Sequence, residues 1–181
     1  MKRIWLTAML LLATGCDTSG FRDAYMALDS SGDRERERFF TDTEAIFCVG
    51  KLASGVNDVT VNAALRATHL YDPHDGQAIE VDYLLGVSEE APGKGEDITV
   101  SFELEREAPE APYTAGRFVC ELSLDGELKE KIPFEVALPD CPAAPIFDGG
   151  VCAGFVLEGA RCAGALKGPC VCESDGYWAC D

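Results

Sequence analysis

The two histidines of this 181-residue chain, His69 and His74, are the first candidates for chemistry. With Asp72 and Asp75 they offer the imidazole and carboxylate groups that a transition metal binds. The same stretch, residues 71–76, is rich in Asp, Pro and Gly, which is also typical of a turn between strands, and we favour the turn. The sequence has no phosphate loop, nucleophile elbow or His-Glu-x-x-His motif. We therefore predict a protein that is not an enzyme, with no catalytic residue, metal or cofactor.

The first 15 residues have the three parts of a secretory signal peptide. Lys2 and Arg3 form a positive start, residues 4–13 are almost wholly apolar, and Ala13 and Gly15 supply small residues before a cleavage point. The apolar run is much shorter than the ~20 residues that cross a bilayer. We predict that residues 1–15 direct export and are removed.

Residues 13–16, Ala-Thr-Gly-Cys, resemble the lipobox of bacterial lipoproteins, although that family prefers Leu where this chain has Ala13. The resemblance implies that Cys16 becomes the first mature residue and carries acyl chains such as palmitate. The protein would then be anchored on the extracytoplasmic side of a cell-envelope membrane, inner or outer. Ala13 and Gly15 also suit the ordinary signal peptidase, so plain secretion with Cys16 at the N-terminus is the alternative.

The whole chain has a net charge of −17, and the loss of Lys2 and Arg3 with the signal peptide would make the mature surface more acidic still. We expect no nucleic acid partner, because a phosphate-binding surface requires the opposite sign of charge. We expect a membrane to be contacted through the lipid, and an unidentified protein or glycan to be a possible partner. Residues 16–35 are predicted to form a tether, and the polar stretch 29–33 favours a turn over a calcium loop because it lacks the EF-hand spacing.

The cysteine count fits an oxidised, exported protein. With Cys16 set aside, an even number remains, which predicts four disulfides. Zinc is the alternative for the C-terminal cluster, but the single residue between Cys170 and Cys172 is not a usual zinc spacing. That pair is also too close in sequence to form a comfortable disulfide with each other. The predicted disulfide cysteines are Cys48, Cys120, Cys141, Cys152, Cys162, Cys170, Cys172 and Cys180.

Alternation of apolar and polar residues predicts seven short strands before residue 139. In the fourth of them, Ile79, Val81, Tyr83, Leu85 and Val87 are expected to share one face. The predicted strands span residues 36–41, 45–52, 59–70, 78–87, 98–105, 116–124 and 127–138.

Asp125-Gly126 predicts a tight type I′ hairpin between the last two strands, since both positions require positive φ. Phe118, Cys120, Leu122 and Leu124 would then face the core, as would Ile132, Phe134, Val136 and Leu138. Pro133 falls on the outward face and suits an edge strand or a bulge.

The hairpin sequence of residues 116–126, followed by Ile-Pro-Phe-Glu-Val at 132–136, resembles the closing hairpin of bacterial Ig-like domains. The resemblance implies an all-β fold in which residues 36–139 form an Ig-like antiparallel β-sandwich of about seven strands. Cys48 and Cys120 sit where an Ig-type disulfide joins the two sheets, and both fall on the inward face of their strands. No Trp lies in the third strand to pack on this bridge.

The tail, residues 140–181, contains in order Cys-Pro at 141–142, Gly-Gly-x-Cys at 149–152, Cys-x-Cys at 170–172 and Trp-x-Cys at 178–180. This order resembles cysteine-rich tails of predicted lipoproteins and secreted proteins of Gram-negative bacteria. So small a segment requires cross-links for stability, but the sequence does not select their connectivity. Tyr177 and Trp178 suggest either an exposed recognition pair or an aromatic cover over a disulfide.

The function expected from these features is a lipid-anchored, non-enzymatic binding or structural module of the cell envelope. The first alternative is an extracytoplasmic inhibitor or ligand-capturing protein that uses the cysteine-rich tail. The second is a metal-dependent envelope enzyme that uses the loop between His69 and Asp75.

Overall fold

The computed structural model of the protein describes residues 20–72, 76–95, 97–106, 108, 111–142, 144–165 and 169–180. These residues contain strands and no helix, so the predicted all-β class is confirmed. Across the same residues, nothing helical is long and apolar enough to cross a membrane. The strands are β1 (Phe21–Ala27), β2 (Arg38–Phe40), β3 (Phe47–Leu52), β4 (Val61–Tyr71), β5 (Ala78–Glu90), β6 (Thr99–Glu103), β7 (Gly116–Leu124), β8 (Glu127–Ala137), β9 (Arg161–Ala163), β10 (Pro169–Cys172) and β11 (Trp178–Cys180).

The strands form two large sheets and one small sheet. A three-stranded sheet has the order β1-β3-β6, and a five-stranded sheet has the order β2-β8-β7-β4-β5. The two share one core cluster, to which both contribute buried side chains. All pairs are antiparallel except β2, which runs parallel to β8. The third sheet, β11-β10-β9, lies in the cysteine-rich tail and has its own core.

Strict alternation in β7 produces the central part of the core. Phe118, Cys120 and Leu122 are buried, as predicted, and Phe118 stacks on Phe134 of β8 with ring centroids 5.4 Å apart. Cys120 is joined to Cys48 of β3, which confirms the predicted disulfide between the sheets. A cross-link that closes a loop of 72 residues contributes roughly 4 kcal/mol through loss of unfolded-state entropy.

The turn between β7 and β8 has the predicted geometry, since Asp125 and Gly126 have φ values of 49° and 81°. Pro133 also lies where an edge residue is expected. The short strand β2 pairs only with residues 135–137 of β8, so the part of β8 that contains Pro133 has β7 on one side and no strand on the other among the described residues. The missing N–H of proline therefore interrupts no pairing on that side.

The tether predicted for residues 16–35 is wrong over residues 20–35. Phe21–Ala27 forms β1, which pairs with β3, and Phe21 and Met26 enter the main core. On the opposite face, Tyr25 and Val49 pack together and are buried. The sequence signal of β1 is weak because polar residues surround its short alternation, and pairing with β3 gives the strand its buried positions.

The loop after β1 folds back over the buried Tyr25. The Tyr25 hydroxyl donates to the carbonyl of Gly32 at 3.1 Å. The Asp29 carboxylate organises this loop by accepting hydrogen bonds from the Ser31 hydroxyl at 2.7 Å and from Arg34 Nε at 2.9 Å. These bonds, with one from the Asp33 amide, hold the pKa of Asp29 well below its usual range. The loop is thus a turn closed by its own donors.

We expect Asp29→Asn to lower protein stability at neutral pH, with a deficit that shrinks under acid. Because the Asp29 pKa is lower in the folded than in the unfolded protein, its contribution is present above the unfolded pKa, about 4. It is lost as the pH falls through the folded pKa. Urea unfolding of both proteins across the acid range measures this, with Glu90→Gln as the exposed control. A deficit that does not change with pH would contradict it.

Candidate functional site: the cleft beside strand β5

The most unusual element of the sandwich is β5, the edge strand of the larger sheet. It spans 13 residues, and every one of them except Val81 is exposed. Its exposed large apolar side chains are Ile79, Tyr83, Leu84, Leu85 and Val87. Soluble proteins rarely leave so many apolar residues together on one strand unless the surface binds something.

The local cause is a bulge that reverses the alternation of β5. The register shifts between Leu65 and Arg66 of β4, opposite Gly86 and Leu84, so Leu85 is an extra residue without a partner. Tyr83 pairs with the core residue Ala67, which places it on the inner face. The expectation that Val87 shares the face of Tyr83 is wrong. Its partner in β4 is instead Ala64, which lies opposite Glu121 of β7.

Glu121 lies between the buried Cys120 and Leu122 of β7 and therefore points away from the core, to what we call the outer face of the larger sheet. Arg66 Nε lies 3.7 Å from Glu121, and Arg66 Nη1 lies 2.9 Å from the Asp82 carboxylate of β5. Leu84 pairs with Arg66 and therefore also faces outward. The bulge thus divides the apolar residues of β5 between the two faces of the sheet.

A cleft of about 290 Å³ opens between β5 and β6. Its exposed rim includes Leu85 and Ser88, and its buried lining includes Phe102 and both cysteines of the disulfide between the sheets. The cleft therefore extends from solvent to the centre of the sandwich. It exists because the three-stranded sheet ends at β6 while the facing sheet continues to β5.

Tyr113 and Arg106 form one wall of the cleft. Tyr113 is buried, and its hydroxyl donates to the carbonyl of Leu104 at 3.3 Å. Burial is the main cause of a raised pKa for this phenol. The guanidinium of Arg106 lies 5.1 Å from the centre of the Tyr113 ring and donates to the carbonyl of Glu44. This wall is held in place by contacts on two sides.

Gly86 lies on the rim, and a Cβ added there would meet no atom within 4 Å. Its φ is not in the left-handed region, so the backbone conformation does not explain the glycine. A strand glycine that faces open space leaves room for another backbone to approach closely. The sequence contained this signal, since two adjacent leucines followed by glycine interrupt the period-two pattern at residues 84–86.

Of the four residues considered for a metal site, the structure describes His69 and Asp72. His69 lies in β4 opposite Arg117 and Glu80, and its Nδ1 is 3.2 Å from the Thr68 hydroxyl. Across the described ranges, no group of three or more His, Cys, Asp or Glu residues is arranged to hold a metal ion. His74 and Asp75 lie outside those residues, as does Cys16.

The six tail cysteines form three disulfides: Cys141–Cys162, Cys152–Cys172 and Cys170–Cys180. Cys170 and Cys172 each pair elsewhere, as predicted. Trp178 is buried among the tail cysteines, which supports its interpretation as a cover over the disulfides, while its neighbour Tyr177 is exposed.

The tail contacts the sandwich through Thr41, a buried polar residue next to β2. Its hydroxyl donates to the carbonyl of Phe155 at 3.0 Å, and its amide donates to the carbonyl of Ala137 at the end of β8. Pro112 of the cleft wall approaches Gly154 of the tail. The tail is therefore joined to the sandwich by contacts near the end of β8.

Comparison with protein-family models and with curated proteins found no match to this chain.

We expect peptide mapping of the unreduced protein to recover the linked pairs Cys48–Cys120, Cys141–Cys162, Cys152–Cys172 and Cys170–Cys180. The paired positions lie at disulfide distances in the folded chain, so we expect no free thiol among these residues in the oxidised protein. Mass spectrometry after thiol blocking under denaturing conditions checks both statements. Stoichiometric zinc with reduced tail cysteines is the result that would contradict them.

Proposed function

We propose that the protein is a lipid-anchored, non-enzymatic binding module of the cell envelope. The signal-like residues 1–15 and the lipobox-like residues 13–16 support export and anchoring. The four disulfides support an oxidising, extracytoplasmic compartment. The observation that carries the binding role is the exposed strand β5 beside a cleft that reaches the apolar core.

The strand order supports an Ig-like arrangement for the sandwich. The disulfide joins β3 to β7, the position of the B–F bridge of Ig domains. On that correspondence β1, β3 and β6 are the A, B and E strands, and β4, β7 and β8 are the C, F and G strands. β5 then takes the place of C′, an edge strand. Ig-like sandwiches commonly present edges and loops to partners, which is an argument by analogy of fold.

Anchoring through Cys16 has a direct test in the intact mass of the full-length protein after expression in a bacterium. We expect the wild type to be recovered from membranes with a mature chain that begins at Cys16 and carries acyl mass. We expect Cys16→Ser to be exported but released, because Ala13 and Gly15 still suit the ordinary signal peptidase.

Thr18→Ser serves as the matched control for this test, since it changes a neighbouring residue and leaves the cysteine. It should remain with the membrane. Wild-type protein of unmodified mass in the soluble fraction would refute the anchor and leave secretion.

A second surface favours the alternative in which the tail captures a ligand. Phe147, Val151 and Tyr177 are exposed, and Val151 pairs with Tyr177 through an isolated antiparallel bridge. The backbone of this region is held by bonds such as that from the Gly149 amide to the Trp178 carbonyl. Rigid apolar residues on a cross-linked frame lose little entropy on binding.

We expect the sandwich rather than the tail to determine partner capture. In-cell crosslinking of the full-length protein should be reduced by Gly86→Leu on the cleft rim, because the added side chain enters space that a partner would occupy. It should persist in the double variant Phe147→Ser/Tyr177→Ser, whose thermal unfolding should match the wild type because both residues are exposed. The opposite result would transfer the binding role to the tail.

A further inference from the structure

The outer edge of β5 offers backbone groups for pairing. Along one side β5 pairs with β4 over nearly its whole length, from Ala78 to Glu90. Along the other side, no strand of the described chain pairs with it. A long exposed edge presents a row of N–H and C=O groups that an additional extended segment can use.

Between Ile79 and Tyr83 the inner face of this edge is apolar, and at Tyr83 it adjoins the cleft. Ile79 pairs with Leu70 and Tyr83 pairs with Ala67, both of which pack in or against the main core. Ile79 is nevertheless 55% exposed and Tyr83 47% exposed, because the smaller sheet ends at β6. Inward-facing side chains of an added strand would cover these residues and enter the cleft, with Gly86 giving room for the approaching backbone.

The outer face of the same edge carries three carboxylates beside the exposed Leu84 and Val87. Asp82 contacts Arg66, Glu80 pairs with His69, and Glu89 accepts a hydrogen bond from Asn62. The three contacting residues of β4 pair with Ser123, Val119 and Arg117 of β7, which point away from the core, so the carboxylates lie on the outer face. β5 itself contains no Lys or Arg. Directly opposed or diagonal charges on neighbouring strands interact, and opposite charges stabilise the pair.

The acidic residues of β5 favour one kind of chain over another as the partner of this edge. A second copy of this chain would bring another acidic β5 to the edge and would carry the same strongly negative net charge, which opposes self-pairing. A segment with apolar residues at alternate positions and basic residues between them matches both faces at once, because side chains alternate along a strand.

We propose that β5 and its cleft bind an extended segment of a partner protein in which apolar and basic residues alternate, and that the segment joins the five-stranded sheet beside β5. The inference rests on the proposed binding function and specifies its site and the chemistry of the partner. Main-chain hydrogen bonds supply affinity, while the cleft and the outer carboxylates select the side chains.

Synthetic peptides of about ten residues, long enough to pair with most of β5, test this with the oxidised mature chain carrying Cys16→Ser. A peptide of alternating Val and Lys should bind saturably in calorimetry, and its binding should weaken with salt. A Val-Glu peptide should bind at least about tenfold more weakly because of the opposed charges. Methylation of alternate Val-Lys backbone nitrogens should abolish binding where those N–H groups face β5.

Gly86→Leu should weaken the Val-Lys peptide by about tenfold or more, because the new side chain occupies the cleft rim. Gly93→Leu is the matched control, since that glycine also faces open space at ordinary φ but lies outside β5. Should Gly86→Leu alter thermal unfolding, the reversal variant Glu80→Lys/Glu89→Lys provides an independent measurement. It should weaken Val-Lys binding and strengthen Val-Glu binding.

Three results would overturn the inference: equal affinity for the two peptides, binding that Gly86→Leu and the charge reversal leave unchanged, or a dimer in sedimentation velocity that Gly86→Leu dissociates. The last result would make a second copy the occupant. Partner crosslinking in cells that persists in Gly86→Leu would preserve the proposed binding function while refuting this site. If the wild-type protein gives no crosslinked partner in cells, the proposed binding function itself is refuted.

Discussion

The covalent bond between Cys48 of β3 and Cys120 of β7 joins the two large sheets at the centre of the core. Cys48 is flanked in its own sheet by Met26 of β1 and Phe102 of β6, so the bond also positions both neighbours of β3. Because β7 lies two strands from the β5 edge, a three-stranded sheet centred on β3 ends before it covers that edge. The cleft is thus a consequence of where the disulfide joins sheets of unequal width, and the same two cysteines line it.

An uncovered edge strand can pair with the edge of another molecule and so favours aggregation, which the residues of β5 partly oppose. Carboxylates at Glu80, Asp82 and Glu89 oppose pairing with another acidic copy, as charged residues on edges commonly do. Protection against aggregation alone would be served equally well by polar residues on the inner face. Ile79 and Tyr83 there, together with the space beside Gly86, add apolar surface that such protection does not require. Their presence is the reason to regard the edge as a binding surface.

The parts of the fold predicted from sequence are those in which local alternation and burial agree. In β7 and in the Asp125-Gly126 turn, each residue type fits one face or one φ, and the structure confirms both. β1 was missed because its alternation is short and mixed with polar residues, and only pairing with β3 gives it a buried face. The face assignment in β5 failed beyond Leu85, because a one-residue bulge inverts every later side chain.

The site was harder to predict than the strands, because the cleft forms where the smaller sheet ends at β6 and leaves β5 uncovered. No local pattern in residues 78–90 specifies how far the opposite sheet extends. The tail connectivity is similar: the pairing of Cys170 with Cys180 depends on the register of β10 and β11, which places them opposite each other. Such features depend on tertiary arrangement, and cysteine spacing alone does not select them.

Because residues 20–35 pack with the sandwich and do not form a tether, a lipid on Cys16 would restrict the orientation of the molecule. Only four Cα–Cα steps separate Cys16 from Gly20, a span of at most about 14 Å. Gly20 accepts a hydrogen bond from Ala53 and approaches Leu124, next to the β7–β8 turn, so that end of the sandwich would lie near the membrane.

The pairing registers then fix which features lie at each end. Val61 of β4 pairs with both Leu124 and Glu90, so the C-terminal end of β5 is at the anchored end. The other end of β4, where Leu70 pairs with Gly116, lies beside the end of β8 that meets Thr41 and hence the tail. A protein anchored through Cys16 would therefore hold its cysteine-rich tail away from the bilayer. β5 would run between the two ends, with its free edge open to partners approaching from the side.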